Sequence, residues 1–104
     1  MTNKRLDEIR QRIHKIKSEL AAIDDMRPGS LTRQYKDPKN QSGAYYQLSY
    51  TREMKSRTEY VARDCLREVR RQIANYKRFK ALSAQWVALS IEHSRLRMKL
   101  ARRL

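Results

Sequence analysis

From Arg63 to Arg102 the chain runs without a single glycine or proline, and helix-forming residues dominate the stretch. A seam of larger side chains recurs through it at Leu66, Val69, Ile73 and Tyr76, then Phe79, Leu82, Trp86, Leu89, His93, Leu96 and Leu100. Steps of three and four residues are the mark of a helix with one buried stripe. The step from Tyr76 to Phe79 repeats a three where a four is due. Such a stammer shifts the phase of the stripe and divides the helix into two working parts. This long helix constrains everything else, because whatever precedes it must cover two seams.

The first helix supplies one cover. Leu6, Ile9, Ile13, Ile16, Leu20 and Ile23 repeat the three–four spacing. Asn3 is placed to cap its start, and Pro28-Gly29 to end it, which predicts a helix over 4–25. Its length matches the part from Phe79 to Leu100. Folded antiparallel, the two would layer Ile23 on Phe79, Leu20 on Leu82, Ile16 on Trp86, Ile13 on Leu89, Ile9 on His93 and Leu6 on Leu96.

Residues 29–62 change character. Ser30–Tyr35 reads as a short strand, 36–43 as a polar turn-rich loop, and Tyr45–Thr51 alternates with Tyr46, Leu48 and Tyr50 on one face. Arg57–Val61 is again strand-prone. A two-residue loop at Glu53-Met54 would pair Tyr50 with Arg57 and Leu48 with Glu59. A three-residue loop would pair Leu48 with Thr58 and Tyr46 with Tyr60, and it is preferred because it keeps charge off the apolar face. The expected fold is therefore α+β, mainly α, in one domain over 1–104. An antiparallel coiled-coil hairpin of helices 4–25 and 63–102 is joined by a small antiparallel β-meander over 29–62, a strand head on a two-helix stalk.

Charge narrows the function. The chain carries 25 Lys and Arg against 11 Asp and Glu, a formal net charge of +14 on 104 residues. Self-repulsion of that size favours a polyanionic partner, and 16 of the 25 cations are arginines, whose planar fork suits phosphates. On the long helix Arg63, Arg67, Arg70, Arg71, Lys77 and Arg78 fall within an arc of about 120°, centred roughly 100° from the seam. Only Asp64 and Glu68 interrupt the stripe. The strand region adds Arg27, Arg33, Lys36, Lys39, Arg52, Lys55 and Arg57. Interleaved tyrosines there can stack bases, with Tyr35 and Tyr45 the expected stacking residues and Tyr46 and Tyr50 expected in the core.

Catalysis has little to work with. Cys65 has no neighbouring His, His14 flanks the first seam, and His93 reads as a packed core histidine. The chain has no Gly-rich phosphate loop, metal-ligand motif or paired-carboxylate spacing, so no enzyme, cofactor or metal is expected. A lone cysteine and the absence of an apolar leader or span predict a cytoplasmic protein without a membrane partner. A second apolar stripe, Ala84, Val87, Ile91 and Met98, lies beside the main seam where Glu92 is the only charge over 81–94. The first helix cannot cover both stripes, which predicts a homodimer.

Three motifs together resemble a known family. They are Met26–Tyr35 (with Pro28-Gly29-Ser30-Leu31), Tyr45–Thr51 (Tyr-Tyr-Gln-Leu-Ser-Tyr-Thr), and Val69–Phe79 (Val-Arg-Arg-Gln-Ile-Ala-Asn-Tyr-Lys-Arg-Phe). Over roughly 26–90 the chain resembles small prokaryotic proteins of unknown function, often encoded beside transposases. Those relatives usually have a cysteine cluster after the position of Tyr35, and here Lys36-Asp37-Pro38 follows instead, so the resemblance implies no metal site. They also tend to have glycine in the hairpin turn, where this chain has Glu53-Met54. The resemblance implies a mobile-element setting, in transposition. The resulting expectation is a non-enzymatic protein that binds DNA or structured RNA mainly through phosphate contacts. The alternative is an accessory subunit that docks a transposase or another nucleic-acid effector.

Overall fold

A computed structural model describes residues 2–103, which form two helices and a three-stranded sheet. Helix α1 spans Thr2–Ala21, strands β1, β2 and β3 span Ser30–Asp37, Ser42–Arg52 and Lys55–Val61, and helix α2 spans Leu66–Arg102 after a single 3₁₀ turn at Arg63–Cys65. Helices of 20 and 37 residues make the fold α+β and mainly α. By contacts the chain falls into two compact units. One is Asp25–Lys77, and the other joins the segment up to Asp24 with the segment from Arg78 onward. The boundary within α2, between Lys77 and Arg78, lies at the stammer between Tyr76 and Phe79, although the helix itself continues unbroken.

In the unit of helical segments the expected seam is buried in part. Ile9 is fully buried, and Leu6, Ile16 and Leu82 nearly so. Partners run in opposite order along the two segments. The Arg5 guanidinium grips the Glu92 carboxylate with two donors, one at 2.8 Å, the Lys17 ammonium sits 5.1 Å from the Trp86 ring centre, and Glu19 meets Arg78 at 4.0 Å. His93 is half-buried, and its Nε2 is enclosed without a hydrogen-bond partner, so it occupies the seam as a packing group. Phe79, expected in the seam, is 38% exposed.

Helix α1 begins before the expected start and ends earlier than expected. Asn3 lies inside the helix, so it is not the cap. The last turn tightens, with Ala22 N–H donating to Ser18 O and Glu19 O and Ile23 N–H donating to Leu20 O. Residues 23–29 then leave the helix well ahead of Pro28. Beyond α1 the backbone is held by tertiary hydrogen bonds instead, the Arg27 N–H donating to Gln72 O and the Asn75 side chain to Asp25 O.

The sheet is a meander in the order β1-β2-β3. Its inner face meets the first turns of α2, where Leu48 (0% exposed), Val61, Val69 and Ile73 form a core joined by Leu31, Tyr46, Tyr50 and Leu66. Tyr46 and Tyr50 therefore pack against the core, as their alternation predicts. Strand β1 runs two residues past Tyr35, to Asp37, whose carboxylate accepts from the Asn40 side chain at 2.8 Å and so ties the turn to β2. The expected register of the second hairpin is wrong by one residue. The loop is the two-residue Glu53-Met54, pairing Tyr50 with Arg57, Leu48 with Glu59 and Tyr46 with Val61. Both loop residues have positive φ, 53° and 64°, the primed-turn geometry that matches strand twist. Glu59 does stand on the core face, but its carboxylate accepts from Tyr50 Oη and from the Arg27 guanidinium, both at 2.8 Å. The charge is satisfied rather than avoided.

Gly29 passes under the sheet at φ +131°. A Cβ there would lie 2.7 Å from Leu48 Cδ1 and 2.9 Å from Ser49 O. Gly29→Ala should therefore cost about 1–3 kcal/mol, read as a lowered Tm. A Tm equal to that of wild type would refute the close approach.

Candidate nucleic-acid interface

The cations of the Asp25–Lys77 unit differ in how they are engaged. Arg27 is structural, held by Glu59 and lying 5.4 Å from the Tyr50 ring centre. Arg71 donates to Glu68 one turn earlier, and Arg70 lies 5.9 Å from the centre of the Tyr46 ring, at the margin of the core. Arg52 approaches Glu53 at 4.0 Å. The acidic side chains Glu53, Glu59 and Glu68 are thus each taken by an arginine nearby. Among the described residues, no ion pair holds Arg33, Lys36, Lys39, Lys55, Arg57, Arg63, Arg67 or Lys77. All eight are exposed.

The expected stripe is present in part. Arg67, Arg70, Arg71 and Lys77 lie on α-helical backbone of this unit, within an arc of about 120°, away from Val69 and Ile73. Arg63 belongs to the 3₁₀ turn, so its direction does not follow the α-helical phase. Arg78 belongs to the other unit, beside Glu19.

The strand cations separate by register. Arg33 pairs across β2 with Tyr46, and Tyr46 with Val61, two residues before Arg63. Lys36 follows on β1, Lys39 sits in the β1–β2 turn, and the Arg33 guanidinium lies 5.4 Å from the Tyr35 ring centre. Arg33, Tyr35, Lys36, Tyr45 and Arg63 therefore gather at one end of the sheet. Lys55 and Arg57 pair with Arg52 and Tyr50 at the other end, four to six residues further along β2, roughly 13–20 Å away at the strand rise.

Tyr60 is the aromatic that sequence reasoning misplaced. The three-residue loop would have set it on the core face beside Tyr46. In the structure it pairs with Gln47 on the outer face and is 71% exposed. A one-residue slip inverts every side chain of a strand. The signal that would have placed it correctly is Val61, the better core residue of the two.

Cys65 and His14 are exposed. Among the described residues no three His, Cys, Asp or Glu side chains gather to hold a metal ion. No helix is long and apolar enough to cross a membrane.

The Glu59 carboxylate is held below its usual value of 4.5, first by the hydrogen bond from Tyr50 and then by that from Arg27. A carboxylate with a lowered folded pKa adds stability above its unfolded value, and that stability is lost as pH falls through the folded value. The Tm gap between wild type and Glu59→Gln should therefore be widest near neutrality and shrink on acidification below about pH 4.5. A gap that stays constant with pH would contradict this role for Glu59.

The family model described as "Domain of unknown function (DUF6788)" matches residues 6–71, which takes in most of α1, the whole sheet and the first six residues of α2. The match begins earlier and ends earlier than the resemblance over 26–90. No curated protein and no solved structure matches the chain.

Proposed function

The chain belongs to the DUF6788 family, whose function is unknown, and on that premise we propose that it is a non-enzymatic nucleic-acid-binding protein. It takes DNA or structured RNA mainly by the phosphate backbone. The observation that carries this reading is the asymmetry of engagement. Glu53, Glu59 and Glu68 are each occupied by an arginine of their own unit, while Arg33, Lys36, Arg63 and Arg67 stand exposed and unpaired. A surface left with uncompensated positive charge is the electrostatic footprint of a polyanion partner. The cluster at the Arg33–Arg63 end supplies the main contacts, with Lys77 on α2 and Lys55 and Arg57 at the far end as outlying ones. In this reading the two helices act as an antiparallel coiled-coil hairpin, the setting is a mobile element in the cytoplasm, and transposition is the process served.

The second reading is an accessory subunit for a transposase or another effector; the charge-poor flank of α2 bears on a separate point, self-association. Val87, Ile91 and Met98 are 59%, 47% and 56% exposed, beside the exposed Ala84. On a chain of net charge +14 this flank, poor in charge, is where a second copy would meet the least local repulsion, so we assign it to a homodimer.

Two outcomes test these readings. The triple variant Arg33→Ala, Arg63→Ala, Arg67→Ala should bind both duplex DNA and structured RNA at least about tenfold more weakly, with the slope of log affinity against log salt reduced by about three. Unchanged affinity in fluorescence anisotropy would reject the site. In sedimentation velocity the wild type should be a dimer and Val87→Asp with Ile91→Asp a monomer. A monomeric wild type would reject the dimer.

A further inference from the structure

The same end of the sheet carries more than charge. The β2–β3 ladder stops at Tyr46 and Val61, so Ser42–Tyr45 pair with β1 alone and present a free strand edge. Over that edge Tyr35, Lys36, Tyr45 and Tyr60 enclose an open concavity of about 640 Å³, floored by Gly43 and Ala44. A smaller recess of about 160 Å³ adjoins it through Ala44, Tyr45 and Tyr60, with Arg33 and Arg63 at its rim. The floor is low because it lacks side-chain bulk. Gly43 adopts φ +69°, and a Cβ there would lie 3.0 Å from Lys36 Cβ.

The ingredients are aromatic walls, backbone hydrogen-bonding groups along an unpaired edge, and three cations without ion-pair partners at the rim. Aromatic faces stack on bases, strand-edge amides and carbonyls meet base edges, and the cations hold the flanking phosphates. A base inside a duplex is already stacked and cannot enter such a recess. Extruding one costs a few kcal/mol. The outer-face neighbours Gln34 and Gln47 are neutral, and the acid at this end, Asp37 opposite Ser42, is engaged by the Asn40 side chain. From this geometry we infer that Tyr45 and Tyr60, on the outer face of this sheet end, form a base-stacking subsite for an unpaired nucleobase, which makes single-stranded segments of nucleic acid the preferred ligand. The inference rests on the nucleic-acid reading above and names its substrate class.

Fluorescence anisotropy of the full chain with a labelled oligothymidylate and with a blunt DNA duplex, at two salt concentrations, tests it. Tyr45→Ala with Tyr60→Ala should weaken single-strand binding about tenfold more than duplex binding, with both salt slopes unchanged. Tyr45→Phe with Tyr60→Phe keeps the ring faces and should bind the single strand as wild type does. Thermal melts establish that both pairs fold. Wild-type affinity of the alanine pair for the single strand would overturn the stacking subsite and leave the phosphate-binding reading standing. Equal loss on single strand and duplex would overturn it too, since the tyrosines would then act on the surface as a whole. Absence of binding to either ligand would overturn the nucleic-acid reading, and the subsite with it.

Discussion

The register of β3 against β2 decides what this sheet presents to solvent, and a two-residue turn sets it. Glu53 and Met54 both adopt positive φ, which glycine or asparagine would do at lower cost. Neither is present, so something beyond the turn must hold the pairing. The Glu59 carboxylate, bonded by Tyr50 and Arg27, is that anchor on the core face, and Val61 closes the other end of the strand in the hydrophobic core. A slip by one residue would bury Thr58 and Tyr60 in place of Glu59 and Val61, breaking both hydrogen bonds and the packing together. The exposed Tyr60 and the unpaired edge of β2 both follow from this register.

Charge and packing use separate faces of the same helix. Over its first turns α2 sends Val69 and Ile73 into the sheet and turns Arg67 and Lys77 to water, with Arg70 on the boundary against Tyr46. Further along, Leu82 is buried while Val87 and Ile91 remain exposed, and Glu92 is committed to Arg5. Glu53, Glu59, Glu68 and Glu92 are each occupied by an arginine. Local neutralisation of that kind lets a chain of this charge remain folded, yet it leaves the sheet end positive.

Much of this was legible from spacing. Three–four repeats in Leu6–Leu20 and Leu66–Leu100 require helices, alternation in Tyr45–Thr51 requires a strand, and the stammer after Tyr76 coincides with the boundary between the two compact units. Periodicity is a property of one segment's own covalent geometry, so it survives being read one segment at a time. The cations of the site were legible too, because composition needs no geometry.

What spacing could not supply was every relation between segments. The path of the chain after α1 ends at Ala21 involves Asn75 and Gln72, which hold the backbone of Asp25 and Arg27, fifty and forty-five positions away. The gathering of Arg33, Tyr45, Tyr60 and Arg63, and the parting of Lys55 and Arg57 from them, depend on a pairing that the apolar pattern alone ranked the wrong way. Pattern treats a carboxylate on a core face as a fault, whereas two hydrogen bonds from Tyr50 and Arg27 make it an anchor. By itself the sequence determined the elements, their buried stripes and the charge. Tertiary structure alone decided the register, and with it which tyrosines face water, because a partner that satisfies a buried charge exists only once distant segments have met.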